Sequence, residues 1–200
     1  MDEAPRVRPA TDDDRVAVRS LTADAFGVDP LIRWFFPDPD TFEAMARSFF
    51  GTLLDLRLRA GVVEVEVDQR GAAQWERPGG LGLSDQEQDD AWAGHVGRRG
   101  AVTRARFDLL EDLFGPHVPD EPHWYLGVLA VDPSHHRRGI GSSLLRVGLE
   151  RARADGLAAF LETATADNVG LYERHGFVVT GEVDLPDDGP HVWFMTARLD

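Results

Sequence analysis

Residues 124–155 read WYLGVLAVDPSHHRRGIGSSLLRVGLERARAD and contain the strand, the loop and the helix that decide the fold. Residues 126–131 are apolar almost throughout and end at Asp132, which predicts a strand buried on both faces. From Gly139 onward apolar residues recur at helical spacing, and Gly156 follows where a left-handed residue commonly ends a helix. The stretch therefore predicts a buried strand that leads into an amphipathic helix.

The loop between this strand and helix has the composition of an anion-binding site. Residues 134–143 read SHHRRGIGSS, so two glycines lie among arginines and serines where the helix begins. The first amides of a helix lack intrahelical acceptors and lie at the positive end of its dipole, and glycines let a phosphate approach the backbone. The loop matches neither GxGxxG nor a GKS or GKT sequence. A glycine-rich turn with solvated arginines is the alternative interpretation.

This loop resembles the acetyl-CoA-binding segment of the GCN5-related N-acetyltransferases (GNATs), whose pattern is [QR]-x-x-G-x-[GA]. Residues 136–141 fill the pattern, with His136 in place of the usual Gln or Arg. Downstream, Asn168, the segment 171–173 (LYE) and the pair 176–177 (GF) match a second GNAT motif in the right order. From residue 121 to residue 200 the chain looks most similar to the puromycin N-acetyltransferase branch, whose members modify antibiotics.

The resemblance implies a fold and a cofactor. The fold is the α+β, three-layer GNAT fold, in which a mixed, mostly antiparallel sheet with a central parallel strand pair is flanked by helices. The cofactor is acetyl-CoA, with its pyrophosphate on the loop amides and its pantetheine on the central strand, which we expect to separate from its parallel neighbour after Leu129. The implied cofactor-binding residues are Leu129, Ala130, Val131, His136, Arg137, Arg138, Gly139, Ile140, Gly141, Ser142, Ser143, Asn168 and Tyr172.

Acetyl transfer from a thioester to an amine requires a base for the ammonium group and an acid for the departing thiolate. By resemblance the acid is Tyr172, and a tyrosine with a pKa near 10 keeps its proton at neutral pH. Glu162 ends the strand that follows the central helix, beside the expected strand separation, and is the candidate base, acting directly or through water. A surface or N-capping carboxylate is the alternative for Glu162. His123, Tyr125 and His191 are weaker rivals for the base.

Aromatic residues between prolines at positions 29–36 (DPLIRWFF) predict either a plug in the core or the wall of an acceptor pocket. Together with other aromatic residues they give the acceptor-binding candidates, which are Phe26, Trp34, Phe35, Trp124, Tyr125 and Trp193.

The function that follows is acetyl transfer to the amine of a small molecule, such as an aminonucleoside-like antibiotic, in a ternary complex. The alternatives are a protein lysine or N-terminal acetyltransferase and a non-catalytic acyl-CoA-binding sensor. The substitution at His136 is the reason for considering the sensor, whereas the presence of Asn168 and Tyr172 favours an enzyme.

Composition limits the remaining possibilities. Length and hydrophobic content (200 residues, 42%) fit one domain over residues 1–200, and a net charge of −14 argues against nucleic acid and anionic membranes as partners. The same charge favours a cationic amine. The chain has no Cys, and its seven His show no HExxH-like spacing, so we expect no metal. No signal-like or membrane-spanning segment is visible, which predicts a cytoplasmic monomer or homodimer.

The rest of the chain predicts a first strand at residues 6–10, helices at 11–26 and 41–59, a strand hairpin within 62–78, and a helix at 102–114. After the central helix we expect a strand at 157–163, a short helix that Asp167-Asn168 caps, and a closing strand pair at 177–183 and 191–198. Two further interpretations concern surfaces. The region 78–119 is expected to be a mobile lid, and Glu64 and Glu66 are expected to be solvated.

Overall fold

The computed structural model describes residues 4–84, 86–87 and 100–199. Its strands are β1 (Val7–Pro9), β2 (Val62–Glu66), β3 (Gly71–Glu76), β4 (His123–Val131), β5 (Ala158–Thr163), β6 (Val178–Asp184) and β7 (His191–Ala197). Its helices are α1 (Arg15–Ala25), α2 (Pro30–Phe35), α3 (Phe42–Ala60), α4 (Gly100–Phe114), α5 (Ile140–Ala154) and α6 (Ala166–Glu173).

The strands form a seven-stranded sheet in the order β1-β2-β3-β4-β5-β7-β6. Neighbouring strands are antiparallel except β4 and β5, which are parallel and joined through α5. Helices cover both faces, because apolar residues of α5 and α6 pack into one core cluster and those of α1 to α4 pack into clusters on the other face. The predicted mixed sheet with a central parallel pair is confirmed.

A β-bulge in β4 changes which residues face which helices. Gln74 pairs with Val128 and Trp75 pairs with Leu126, so Gly127 is an extra residue in β4. Leu126 therefore packs with the α5 cluster, whereas Val128, also even-numbered, packs with the α2 and α3 cluster on the opposite face. The bulge thus shifts the alternation of the strand by one residue.

Most predicted elements are found within one to three residues of their observed ends. Gly156 has the expected left-handed φ of 67° after α5, and the helix predicted at 102–114 is α4. Thr165, and not Asp167-Asn168, is the N-cap of α6. The lid expected at 78–119 falls partly outside the described residues, and it stays a prediction. No helix in the described part of the chain is both long and apolar enough to cross a membrane.

Glu64 and Glu66 are buried, contrary to the expectation that they are solvated. Glu64 accepts a hydrogen bond from Arg151 of α5, and Glu66 forms a 2.7 Å ion pair with Arg70 in the β2–β3 turn. Both side chains lie on the sheet face that α5 covers, since Val63 and Val65 pack into the cluster on the other face. An alternating charged strand can therefore be buried when each charge has a partner.

Candidate active site

The loop before α5 presents a row of free backbone amides. Gly139 is the N-cap residue of α5 and has a left-handed φ of 80°, a backbone conformation that residues other than glycine rarely adopt. Within the described residues, the amides of residues 137–142 donate to no protein acceptor. The row ends there because the Ser143 amide donates to the Gly139 carbonyl oxygen at 2.9 Å. These amides fit an anion such as a pyrophosphate.

His136 is fixed to the backbone of the preceding strand. Its Nε2 donates a hydrogen bond to the carbonyl oxygen of Val131 at 3.1 Å. The imidazole therefore joins the loop to the end of β4. This role is structural and requires no contact with a phosphate.

The parallel strands separate close to the bulge. Register between β4 and β5 consists of three pairs, the last of which joins Tyr125 to Phe160. The separation begins after Tyr125, four residues earlier than the expected point at Leu129. Residues 129–131 still pair with β3 on their other side, so their edge toward β5 is open for a ligand that pairs with backbone groups.

Glu162 lies in this separation, two residues beyond Phe160, which is the last residue of β5 that pairs with β4. The hydroxyl group of Tyr125 donates to Glu162 Oε1 at 2.6 Å. Burial raises the pKa of Glu162 to about 7, although the Tyr125 hydrogen bond and the positive charge of Arg57 act in the opposite direction. Burial and the Glu162 charge also raise the pKa of Tyr125 well above its usual value, so Tyr125 stays the donor of this bond. The Glu162 carboxyl can therefore gain or lose a proton near neutral pH.

Tyr172 is buried in α6, where its ring packs edge-on against Phe177 with the ring centres 5.8 Å apart. Burial, and next the negative charges of Glu162 and Asp29, raise the pKa of Tyr172 above the usual value of 10. Its hydroxyl makes no hydrogen bond to any residue that the structure describes. Tyr172 is thus a protonated phenol within electrostatic reach of Glu162 and with its hydroxyl group available.

A cavity of about 480 Å³ reaches the Tyr125–Glu162 pair from the side of the sheet that α4 covers. Its walls carry more negative than positive groups and several aromatic rings. The charged lining residues are Glu76, Arg77, Asp120, Glu121 and Glu162, and the ring-bearing ones are Phe114, His123, Tyr125, Phe160 and Phe194. Such a cavity suits a small cation with an apolar part.

Comparison with known proteins agrees with this geometry. The model of the Acetyltransferase (GNAT) family matches residues 66–177, which include the bulged strand, the amide loop and Tyr172. The chain belongs to the GNAT family. Acetyl-CoA is the cofactor of GNAT enzymes, and the amides of residues 137–142 with the open edge of β4 fit it.

One curated GNAT relative is the mycothiol acetyltransferase of Clavibacter michiganensis, which is 30% identical over 82% of this chain. This alignment covers 63% of the relative, so the chain spans less than two thirds of that protein. A solved structure from Corynebacterium glutamicum, described as histone acetyltransferase HPA2 and related acetyltransferase, is 30% identical with a TM-score of 0.72. The alignment covers 99% of this chain and 98% of that one.

A more distant neighbour shows the same fold with CoA bound. The NatC complex bound to Gag peptide and CoA gives a TM-score of 0.54 at 12% identity and covers 99% of this chain and 100% of that one. The likeness to the puromycin branch has no support from the relatives named here and stays a prediction.

The structure brings together some of the predicted GNAT site residues and separates others. Glu162, Tyr125 and Tyr172 lie near one another, and Asn168 lies one helical turn before Tyr172. Trp124 does not line the cavity, because it packs on the α5 face and its Nε1 donates to Asp155 at 2.9 Å. It is a core residue.

The other aromatic acceptor candidates also lie away from this cavity. Trp34 and Phe35 are buried in the core cluster of α2 and α3, and Trp34 Nε1 donates to the Pro186 carbonyl oxygen at 3.0 Å. Phe26 packs against Phe50, with ring centres 4.8 Å apart, and Trp193 against His191, at 4.4 Å. The segment 29–36 is therefore the core plug that the sequence offered as one alternative.

Sequence reasoning missed most of the cavity wall. Phe160 was detectable in principle, because it lies two residues before Glu162 in a strand and must share its face. Phe114 and Phe194 come from α4 and β7, and no local signal associates them with Glu162.

Proposed function

We propose that this GNAT protein is an acetyl-CoA-dependent N-acetyltransferase whose acceptor is a small cationic amine. The observation that carries the proposal is the Tyr125–Glu162 pair, in which the carboxyl has a pKa of about 7 and lies between an acidic cavity and the separated strands. The carboxyl is therefore titratable at the pH where an amine must lose a proton.

Bound acetyl-CoA would supply an acetyl group as a thioester, held by the amides of residues 137–142 and by the open edge of β4 at residues 129–131. The residues of the chain would move the protons. Glu162 Oε2 or Oε1 accepts a proton from the acceptor ammonium group, while Tyr125 keeps the carboxylate oriented. Tyr172 Oη retains its proton throughout the neutral pH range and is the proton donor for the departing thiolate.

The lining of the cavity supports the acceptor class. Glu76 is paired with the buried Arg57, and the remaining charged groups of the lining are Asp120, Glu121, Glu162 and Arg77. Negative groups therefore still outnumber positive ones, so the cavity attracts a cation. The rings of Phe114, Phe160 and Phe194 favour an apolar or aromatic portion beside the amine. A concave site of about 480 Å³ matches a small ligand better than an extended peptide, which disfavours a protein lysine or N-terminal acetyltransferase.

The decisive experiment is an acceptor panel. Purified protein is incubated with acetyl-CoA and, separately, with puromycin, the unacetylated form of mycothiol, aromatic monoamines and lysine-containing or free-N-terminal peptides. CoA and acetylated product are quantified by liquid chromatography and mass spectrometry, because a thiol reagent would react with the mycothiol precursor itself. The names of the relatives and the resemblance of residues 121–200 make the first two compounds the priority.

We expect kcat/KM for at least one small amine to exceed that of every peptide by about 100-fold or more, which corresponds to about 3 kcal/mol of discrimination. Preference for a peptide would refute the small-molecule assignment. Tight CoA binding without acetylation of any amine would instead favour the non-catalytic acyl-CoA sensor.

A further inference from the structure

Arg57 of α3 is a buried cation next to the bulge of β4. The residue is 2% exposed, and its Nη2 donates to Glu76 Oε1 of β3 at 2.7 Å. A Cβ atom on Gly127 would lie 2.0 Å from Arg57 Nη2, so the guanidinium occupies space that exists because the bulged residue has no side chain. The cation and the bulge therefore fit each other.

The guanidinium of Arg57 is only partly hydrogen-bonded. Its Nε and Nη1 are buried and have no hydrogen-bond partner among the described residues. The guanidinium carbon lies 6.0 Å from the centre of the Tyr125 ring, whose hydroxyl group binds Glu162. The ion pair with Glu76 is thus linked to the Tyr125–Glu162 pair through one aromatic ring.

We propose that Arg57 is a positioning residue that, held by Glu76 under the Gly127 bulge, supports Tyr125 and uses its positive charge to keep Glu162 available as a base. This inference rests on the proposed function, because it assumes that Glu162 is the base. It adds a residue of α3 to the active site, 105 positions before Glu162 in the chain.

Two opposing charges act on Glu162 from neighbouring elements. Arg57 lowers the pKa of Glu162, and Glu76 raises it by a smaller amount, so the pair has a net favourable effect on ionisation. Among the residues that the structure describes, the other titratable or charged groups around Glu162 are Tyr125 of β4, Tyr172 of α6, and the cavity residues Arg77, Asp120, Glu121 and His123. These last four lie toward the opening, where water screens their charges more.

A purely structural role explains the arrangement less well. A well-packed apolar side chain usually stabilises a core as much as a buried ion pair or more, and it leaves no unpaired donors. Arg57 keeps two unpaired donors within electrostatic reach of the titratable Glu162 carboxyl, and a role based on the charge of Arg57 explains this arrangement better.

The test measures the Glu162 pKa directly, by ¹³C NMR titration of protein labelled at the glutamate side-chain carbons, with Glu162→Gln used to assign the resonance. Arg57→Met should raise that pKa by about one unit or more, the usual effect of removing an opposite charge at close range. Glu76→Gln should lower it, and Arg57→Lys should leave it near the wild-type value. The double variant Arg57→Met/Glu76→Gln should lie between wild type and Arg57→Met, because the Arg57 effect is the larger one.

Kinetics on the same variants separate this inference from the proposed function. The acidic limb of the kcat/KM profile should move with the NMR pKa, upward in Arg57→Met and downward in Glu76→Gln. An unchanged NMR pKa in folded Arg57→Met, or in Glu76→Gln if Arg57→Met does not fold, overturns the inference. A pKa that moves while Glu162→Gln keeps wild-type activity overturns the assignment of Glu162 as the base, and with it the catalytic role of Arg57.

Discussion

Replacing Glu162 by Gln should stabilise the folded protein at neutral pH although it removes the proposed base. The folded-state pKa of Glu162 is about 7, against 4.5 for the unperturbed group. Because the folded pKa is the higher one, the folded state binds the proton more tightly, and the stability that this proton provides is present below pH 4.5 and lost as pH rises through 7. Gln keeps the neutral form at every pH.

The magnitude follows from the two pKa values. The difference of 2.5 units (7 − 4.5), at about 1.4 kcal/mol per unit, gives an advantage of about 3 kcal/mol for the variant above pH 7. Integration between the two pKa values gives an advantage of about 1 kcal/mol at pH 5 and about 2 kcal/mol at pH 6. The Gln side-chain oxygen can still accept the Tyr125 hydrogen bond, so that contact largely cancels in the comparison.

The assay is urea denaturation of wild type and Glu162→Gln at pH 5, 6, 7 and 8, with the free energy of unfolding obtained by linear extrapolation. Glu150→Gln is the matched control, because Glu150 is exposed on α5 and its replacement is the same chemical change outside the site. If the free energy of unfolding of Glu162→Gln does not exceed that of wild type at pH 8, or if the excess becomes smaller as pH rises, the charged form of Glu162 is not destabilised by burial.

Three further predictions concern the cofactor loop, the acid and the helix that supports both. Gly141→Ala should keep the affinity for CoA within about threefold of wild type, because a Cβ atom there meets only ordinary contacts at 3.6 Å or more. Gly141→Val should weaken the calorimetric affinity for CoA at least tenfold, because the larger side chain blocks the backbone amides. Equal CoA affinities of the two variants would contradict an amide site. Tyr172→Phe should lower kcat by ~100-fold with little change in the acetyl-CoA KM, and full activity would reassign the proton donor. Gly148→Ala should destabilise the fold by ~1–3 kcal/mol in urea despite better helix propensity, because its Cβ would lie 2.2 Å from Trp75; a stabilised variant would contradict this packing.

The sequence predicted those parts of the site that depend on local chemistry. Gly139 could be predicted because glycines beside arginines at the start of a helix are typical of an anion-binding turn, and its left-handed φ of 80° is a conformation that favours glycine. Its contact with the cofactor stays a prediction. Glu162 could be located because the strand that follows α5 must run parallel to β4. Both inferences need only the order of the elements and the chemistry of a few neighbouring residues.

The parts that failed depend on contacts between distant segments. Trp124 belongs to a strand with apolar residues on both faces, so its sequence holds no alternation from which a face could be read. Glu64 resembles a solvated residue in an alternating strand until Arg151, 87 positions away, is known to pair with it. Arg57 on an amphipathic helix is indistinguishable in sequence from an exposed arginine.

The bulge at Gly127 explains why the amine site and the cofactor site can share one strand. Before the bulge, Tyr125 projects toward α3 and the cavity. Beyond the bulge, Leu129 packs with the α5 cluster on the opposite face. In a regular strand these two residues, four positions apart, would share a face. Without the extra residue, Leu129 would face the same side of the sheet as Tyr125. A single inserted glycine therefore coincides with the end of parallel pairing, the free backbone edge at residues 129–131 and the space that Arg57 fills. The chemistry proposed for Glu162 depends on all three, so the bulge is the structural feature from which the site is built.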